Sequence, residues 1–367
     1  MSDESFELKV VDVVEETADA HSISFEVPAG AEEQFAYRPG QFLTLAVPSD
    51  RTGVAARCYS LSSSPVGGGP LTITVKRTAD GYASNWICDH VRDGDSVRVL
   101  PPSGIFTPAS LSADLLLFAG GSGITPVISI TRTALQQGTG RIVLFYANRD
   151  ERSVIFAEEL TRLAAENPDR LVVVHWLESV QGLPSQEQLK AFASSFTSYD
   201  AFVCGPAPFM KMTIAALKEL EFPRERRHQE KFVSLGGNPF GDLHDQEVAE
   251  HEIEDAERDE DDAALDAAAN EGRPQGPVRL EVELDGQDYV FDDWAPGTKL
   301  LDHLESKGVK APYSCREGEC SACAIRLLEG EVKMLHNDVL DDDDLAEGIR
   351  LGCQSVPVTD TVKVTYH

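Results

Sequence analysis

Pro312-Tyr313-Ser314-Cys315-Arg316-Glu317-Gly318-Glu319-Cys320-Ser321-Ala322-Cys323 spaces three cysteines as C-x4-C-x2-C, and Cys353 follows after 29 further residues. Four thiolates so arranged match the plant-type spacing for a [2Fe-2S] cluster. One tight loop supplies three ligands and a distant strand the fourth. Gly318, Ser321 and Ala322 keep the loop small enough for backbone N–H groups to approach the sulfurs. A structural zinc site is the alternative, but zinc modules present two separated C-x2-C or Cys/His pairs, and no histidine stands at ligand spacing from these cysteines. Cys315, Cys320, Cys323 and Cys353 are therefore the candidate metal ligands. Cys58, Cys88 and Cys204 stand alone in apolar or helical stretches, where a cysteine is commonly a small buried hydrophobe.

Working outward, Val278 to Leu284 and Tyr289 to Phe291 read as a hairpin around Asp285-Gly286, and a helix is expected near Leu300 to Ser306. Before them, residues 241–277 hold fourteen acidic and two basic residues and few large apolar ones. Such a stretch cannot bury enough surface to offset its conformational entropy, so it reads as a tether. A flexible chain of that length spans roughly 30 Å. A partly helical arm from Glu247 to Ala269 is the alternative.

The 367 residues carry a net charge of −30, which argues against nucleic acid or an anionic membrane as a partner and favours a basic protein surface. The N-terminus shows no basic n-region with an apolar core, and apolar runs such as Leu115 to Ala119 are too short to span a bilayer. Three crowded cysteines without an export signal agree with the reducing cytoplasm as the expected compartment.

Residues 1–110 alternate apolar and polar over short runs: Phe6 to Val14, His21 to Val27, Gln41 to Val47, Leu71 to Arg77 and Ser96 to Leu100. Turn clusters separate these runs and one helical stretch near Ser84 to Val91 interrupts them, predicting a small antiparallel β-barrel. From 111 to 240 apolar runs alternate with helical segments, with strands expected at Leu115 to Ala119, Ile142 to Ala147, Leu171 to Leu177 and Ala201 to Cys204. That series predicts an α/β domain with a parallel sheet. The fold class is thus multidomain: barrel at 1–110, α/β domain at 111–240, acidic linker at 241–277 and cluster domain at 278–367.

Arg57-Cys58-Tyr59-Ser60-Leu61-Ser62-Ser63 lies on a barrel strand, and Gly81-Tyr82-Ala83-Ser84 opens the helix after Val75-Lys76-Arg77. Strand Leu115 to Ala119 runs into Gly120-Gly121-Ser122-Gly123-Ile124-Thr125-Pro126, and Cys204-Gly205-Pro206 follows the fourth strand of the second domain. A glycine-rich turn at a helix N-terminus suits a pyrophosphate, although this is not the G-x-G-x-x-G fingerprint. Taken in order, these elements resemble the ferredoxin-NADP reductase superfamily, and with the cluster domain last they resemble the reductase components of bacterial oxygenases.

The resemblance implies FAD, with Arg57 neutralising its phosphate, Tyr59 stacking on the ring, Ser60 bonding near the nitrogen that receives hydride, and Leu61, Gly81 and Ser84 completing the site. It implies a β-grasp fold for the cluster domain. It places a nicotinamide dinucleotide on Gly120, Gly121, Gly123 and Thr125, with Asn148 and Arg149 toward the ribose. Cys204, Gly205 and Pro206 would lie at the nicotinamide, where Cys204 orients and does not attack. Ser60 and Cys204 are the catalytic candidates, and Phe232 and Phe240 could cover the other flavin face or serve as core. The acidic Asp150 and Glu151 favour NADH over NADPH, whereas Arg149 and Arg152 could attract a 2′-phosphate.

The implied activity passes electrons from NADH through FAD and [2Fe-2S], one at a time, to a separate terminal oxygenase. No Rieske ligand pairs and no 2-His-1-carboxylate iron signature are present, so oxygen would be activated elsewhere. The Cys315–Cys323 loop and the Leu-Gly-Cys-Gln around Cys353 look most similar to reductases of 3-ketosteroid 9α-hydroxylases, with phenylacetyl-CoA epoxidase reductases as the rival. A redox-sensing flavoprotein is the reading from another class.

Overall fold

The computed structural model describes residues 5–49, 53–78, 81–230, 240, 274, 276–284, 286–309, 311–313, 323–337, 339–340 and 342–366. Residues 241–273 and 275 of the tether, with the alternative helical arm from Glu247 to Ala269, and Cys315 and Cys320 lie outside these residues. The chain divides into two compact units, one of residues 4–47 and 57–232, the other taking in residues 233–367 and the segment 48–56.

Alternating apolar residues build β1 (Phe6–Thr17), β2 (Ala20–Glu26), β3 (Phe42–Ser49), β4 (Gly53–Ser60), β5 (Leu71–Lys76) and β6 (Ser96–Ser103), all in the first unit except the end of β3 and the start of β4. They form a six-stranded sheet in the order β4-β3-β6-β1-β2-β5. An antiparallel bridge from Leu61 to Ile73 joins the end of β4 to β5, so the two outer strands meet and the sheet closes on itself. Inward residues such as Leu8, Ile23, Phe25, Leu45, Ile73 and Val99 are almost wholly buried. Ser22 and Ser62 both bond the Thr74 hydroxyl at 2.9 Å, satisfying polar groups that burial would otherwise penalise. Helix α1 (Tyr82–His90) follows β5.

The second layer of this unit is a parallel sheet of β7 (Leu115–Gly120), β8 (Ile142–Asn148), β9 (Leu171–Leu177), β10 (Asp200–Cys204) and β11 (Arg227–Glu230), in the order β11-β10-β7-β8-β9. All six residues of β7 are buried, as expected where helices cover both faces. Helices α2 (Ile124–Gln137) and α3 (Ala157–Glu166) contribute to one core through Ile124, Val127, Ile128 and Leu160. After the single turn α4 (Glu178–Gln181), α5 (Gln186–Ala193) and α6 (Ala207–Glu219) fill the other through Leu189, Phe209 and Leu217. β11 has no apolar alternation and sequence pattern does not reveal it; it is held by parallel pairing to β10 from Ala201↔Arg227 to Cys204↔Glu230.

Barrel and parallel sheet are locked together through α2. Ser129 Oγ donates to the Ser63 carbonyl at 2.6 Å. Arg132 donates to the Ser62 carbonyl and to Glu159 while its guanidinium lies 5.1 Å over the Phe156 ring. The strand that carries the Arg57 motif is therefore anchored, at its end, to the helix that begins at the glycine-rich turn.

The second unit contains a five-stranded sheet, β13-β12-β18-β14-β16, with β12 (Val278–Leu284), β13 (Gln287–Trp294), β14 (Ala324–Glu329), β16 (Ile349–Leu351) and β18 (Thr361–Thr365). A small pair, β15 (Val332–Met334) and β17 (Ser355–Pro357), accompanies it. The first strand lies parallel beside the last, β12 with β18, and α7 (Leu300–Ser306) packs Leu300, Leu301 and Leu304 into the core. A hairpin, a crossing helix and a returning parallel strand are the β-grasp arrangement expected from sequence. A short helix, α8 (Asp342–Ala346), precedes β16.

Candidate functional site

The flavin motif sits at the end of β4. Ser60 and Leu61 are buried, at 3% and 0% exposure, whereas Arg57 and Tyr59 are half-buried. Burial raises the Tyr59 phenol, the nearby Arg57 charge opposing the rise, so the ring stays neutral. Gly81 precedes α1 without any side-chain cap, leaving that helix N-terminus to an external anion. A Cβ at Gly81 would lie 2.9 Å from Thr78 Cβ, and Ser84 Oγ accepts from Thr78 N–H at 3.0 Å, so both residues shape the turn. A bound FAD fits this set: a cation, a flat ring, a buried hydroxyl and an uncapped helix end.

Across the same unit, the turns after β7 and β10 meet. Ala119 pairs with Cys204, and Gly123 is packed so tightly that a Cβ there would lie 2.2 Å from the Cys204 carbonyl oxygen. A Cβ on Gly120 would meet Pro206 Cδ at 2.9 Å, and one on Gly205 would meet Gly120 N at 2.9 Å. Gly120, Gly121, Gly123, Cys204, Gly205 and Pro206 are thus one junction at the carboxyl ends of neighbouring strands, on either side of the point where strand order reverses. Open parallel sheets bind ligands at such a crevice. Thr125 is buried and donates to the Ser122 carbonyl at 3.1 Å. The Tyr146 hydroxyl donates to the Gly121 carbonyl at 3.2 Å, bringing β8 to the same turn.

Asn148 ends β8, 7% exposed, with its amide beside the Tyr146 phenol. Arg149 is largely exposed and pairs with Asp19 at 2.9 Å. The Asp150 carboxylate, read from sequence as a discriminator at the ribose, accepts from Arg152 and Ser153 N–H groups, both at 3.0 Å, and caps the short turn of Glu151–Ser153. One of its two oxygens, Oδ1, is thereby engaged in holding that turn.

Cys58 bonds the Thr44 hydroxyl at 3.5 Å, and Cys88 points at the Val75 carbonyl at 3.7 Å. Both match packing roles. Cys204 is fully buried; burial first, then neighbouring Glu230, push its thiol well above the ordinary range. It stays protonated and cannot act as a thiolate nucleophile.

In the other unit, Cys323 and Cys353 are both 1% exposed and share no disulfide. Cys353 N–H donates to Cys323 Sγ at 3.5 Å, and Gly352 N–H donates to the Cys323 carbonyl at 2.9 Å. Two buried thiols from separate segments, one already receiving a backbone N–H, fit half of a [2Fe-2S] ligand set. Phe240 is buried at 4%, and Phe232 lies outside the described residues.

Three residues at these sites carry no signal in the sequence. Lys76 closes strand β5, where an isolated charge is ordinarily solvated, yet its ammonium is within 3.9 Å of where a Gly121 Cβ would lie and 3.7 Å from Asp19. Asp19 sits on the β1–β2 turn and no local motif marks it. Glu230 ends β11, directly across from Cys204.

Burial alone pushes the Glu230 carboxyl up to about 8. In the unfolded chain the same group titrates near 4.5. The stability that goes with its protonated form is therefore complete below the unfolded value and is lost as pH rises through the folded one. Glu230→Gln, which cannot ionise, should show a melting temperature that gains on the wild type steadily from pH 5 to pH 8. A pH-independent difference would refute the buried, neutral carboxyl.

Residues 7–107 match the oxidoreductase FAD-binding domain family, 117–214 the oxidoreductase NAD-binding domain family, and 282–358 the 2Fe-2S iron-sulfur cluster binding domain family. The chain is 54% identical to the ferredoxin reductase component of 3-ketosteroid-9-alpha-monooxygenase from Rhodococcus rhodochrous, over 98% of this chain and 96% of that relative. It is 32% identical to one component of the 1,2-phenylacetyl-CoA epoxidase of Escherichia coli K12, over 98% of this chain and 97% of that relative. Among solved structures it shares the fold of phthalate dioxygenase reductase, with TM-score 0.55 and 23% identity over 98% of both chains. No described helix is long and apolar enough to cross a membrane.

Proposed function

The chain belongs to the family of ferredoxin reductase components of monooxygenases, and from that premise we propose that it moves electrons from NADH to a Rieske-type terminal oxygenase acting on a 3-ketosteroid at the 9α position. The observation that carries the substrate is the near-full-length identity to the Rhodococcus reductase, which far exceeds that to the epoxidase component. The assigned organisation is an FAD barrel at 1–110, an NAD domain at 111–240, a linker at 241–277 and a ferredoxin domain at 278–367, in the cytoplasm.

FAD, when bound, accepts a hydride as an electron pair and releases electrons singly, which a one-electron cluster requires. The chain's own residues bind and orient. Arg57 offsets phosphate charge, Tyr59 presents a flat neutral ring, and Ser60 offers a buried hydroxyl where hydride arrives. Gly81 and Ser84 open α1 toward the pyrophosphate. Gly120, Gly121, Gly123 and Thr125 seat the dinucleotide against the α2 N-terminus, Asn148 and Arg149 reach its ribose, and Cys204, Gly205 and Pro206 bound the nicotinamide. Cys315, Cys320, Cys323 and Cys353 ligate the cluster.

The test is reconstitution of the purified protein with a 3-ketosteroid 9α-hydroxylating oxygenase, steroid and NADH. Steroid hydroxylation coupled to sustained NADH oxidation is expected. Rapid reduction of artificial acceptors without hydroxylation would refute the steroid assignment. A single round of bleaching by NADH without sustained turnover would point to a redox sensor.

A further inference from the structure

We propose that Asp19, on the barrel, is a determinant of dinucleotide specificity: it holds Arg149 in an ion pair and so denies a cation to the 2′-phosphate of NADPH. The proposal rests on the reading that NADH is the donor.

Asp19 is fixed from several sides. Its Oδ1 accepts from the Thr17 hydroxyl at 2.8 Å, and its carbonyl accepts from Arg77 N–H at 2.7 Å. Its Oδ2 faces the second domain, 2.9 Å from Arg149 Nη2 and 3.7 Å from Lys76 Nζ. One carboxylate thus bridges barrel and parallel sheet and neutralises charge at the carboxyl end of β8. The buried Asn148 side chain stands one residue before Arg149, and the Gly121 turn stands beside Lys76, so the bridge borders the dinucleotide crevice.

In dinucleotide-binding sheets, an acidic group near the end of the second strand selects the free ribose, whereas an arginine there accommodates the 2′-phosphate. This chain supplies the arginine locally and the acid from another domain. Asp150, the local acid, has its Oδ1 turned into the Glu151–Ser153 cap, whereas Asp19 Oδ2 is on Arg149 itself. With the Asp19 carboxylate in place, a phosphate entering the site meets an Arg149 already paired and a nearby negative charge. Remove the Asp19 charge and Arg149 is free to make a charge-assisted pair with that phosphate. Lys76, 3.7 Å from the same carboxylate and beside the Gly121 turn, faces phosphates common to both dinucleotides, so its release by the same substitution does not discriminate between them.

Asp19→Asn retains an acceptor for the Thr17 hydroxyl and removes the charge. Steady-state turnover of the FAD- and cluster-loaded full chain, with NADH and NADPH, is compared for wild type, Asp19→Asn, Arg149→Ala and the double variant. The NADPH to NADH ratio of kcat/KM should rise about 10-fold in Asp19→Asn, mainly through KM for NADPH, as expected for a gained charged pair. The rise should vanish in the double variant. Competitive inhibition by 2′-AMP should strengthen in Asp19→Asn while that by 5′-AMP changes less. Equal effects on both dinucleotides, or a gain that persists without Arg149, would overturn the assignment of Asp19. A wild type that uses NADPH as well as NADH would instead overturn the donor reading, and with it any specificity for Asp19 to set.

Discussion

Cys353→Ser should lower electron delivery to protein acceptors by roughly 100-fold or more, since even changes beyond the ligands of a metal site cost 10–100-fold. Cys353 is buried at 1% and its N–H donates to Cys323 Sγ, so the substitution removes a thiolate and leaves a hydroxyl in a pocket shaped for sulfur. The glycine junction at Gly123 and residues Arg57 to Ser63 belong to the other compact unit and should be untouched. Anaerobic stopped-flow reduction of the flavin by NADH should therefore proceed at close to the wild-type rate. The visible and electron paramagnetic signature of a [2Fe-2S] centre should be lost or altered. Loss of flavin reduction in a folded Cys353→Ser protein would contradict the division of labour between the units.

Gly123→Ala should damage both stability and NADH use. The added Cβ would lie 2.2 Å from the Cys204 carbonyl oxygen and 2.6 Å from Gly205 N, both backbone atoms that cannot rotate away. Overpacking of this kind costs about 1–3 kcal/mol, or a melting temperature lower by about 3–10 °C. The turns after β7 and β10 would be pushed apart where the nicotinamide must be held, and misplacement by about 1 Å can cost 100-fold in rate. The expected fall in kcat/KM for NADH is accordingly about 100-fold. Gly140→Ala provides the control: its Cβ would lie 2.1 Å from the Ala113 carbonyl oxygen, ahead of β7 and β8 at the opposite end of the sheet. It should lose comparable stability with little change in KM for NADH. Equal loss of NADH use in both variants would mean that Gly123 acts through stability alone.

Much of this molecule is legible locally. The cysteine spacing, Arg57 to Ser63 on one strand, and the glycines after a fully apolar β7 are each decided by residues within a few positions of one another. Their order along the chain carries the domain order. The alternation of β1, β2 and β5 and the apolar runs of β7 and β8 follow from which faces must be buried. β11 is not legible, because Arg227–Glu230 carries no apolar periodicity and owes its conformation to pairing with β10. Lys76 and Asp19 are not legible either, since an isolated charge on a strand end or turn is ordinarily a solvated one.

By itself, then, the sequence determined the four candidate ligands, the flavin strand, the dinucleotide turn and the sheet types, all of which depend on short-range spacing and on burial. Only the tertiary structure decided that Cys204 faces a buried Glu230 and that Asp19 reaches Arg149 from another domain. The reason is physical: charge pairing and desolvation depend on distance in space, and 130 residues of chain separate Asp19 from Arg149.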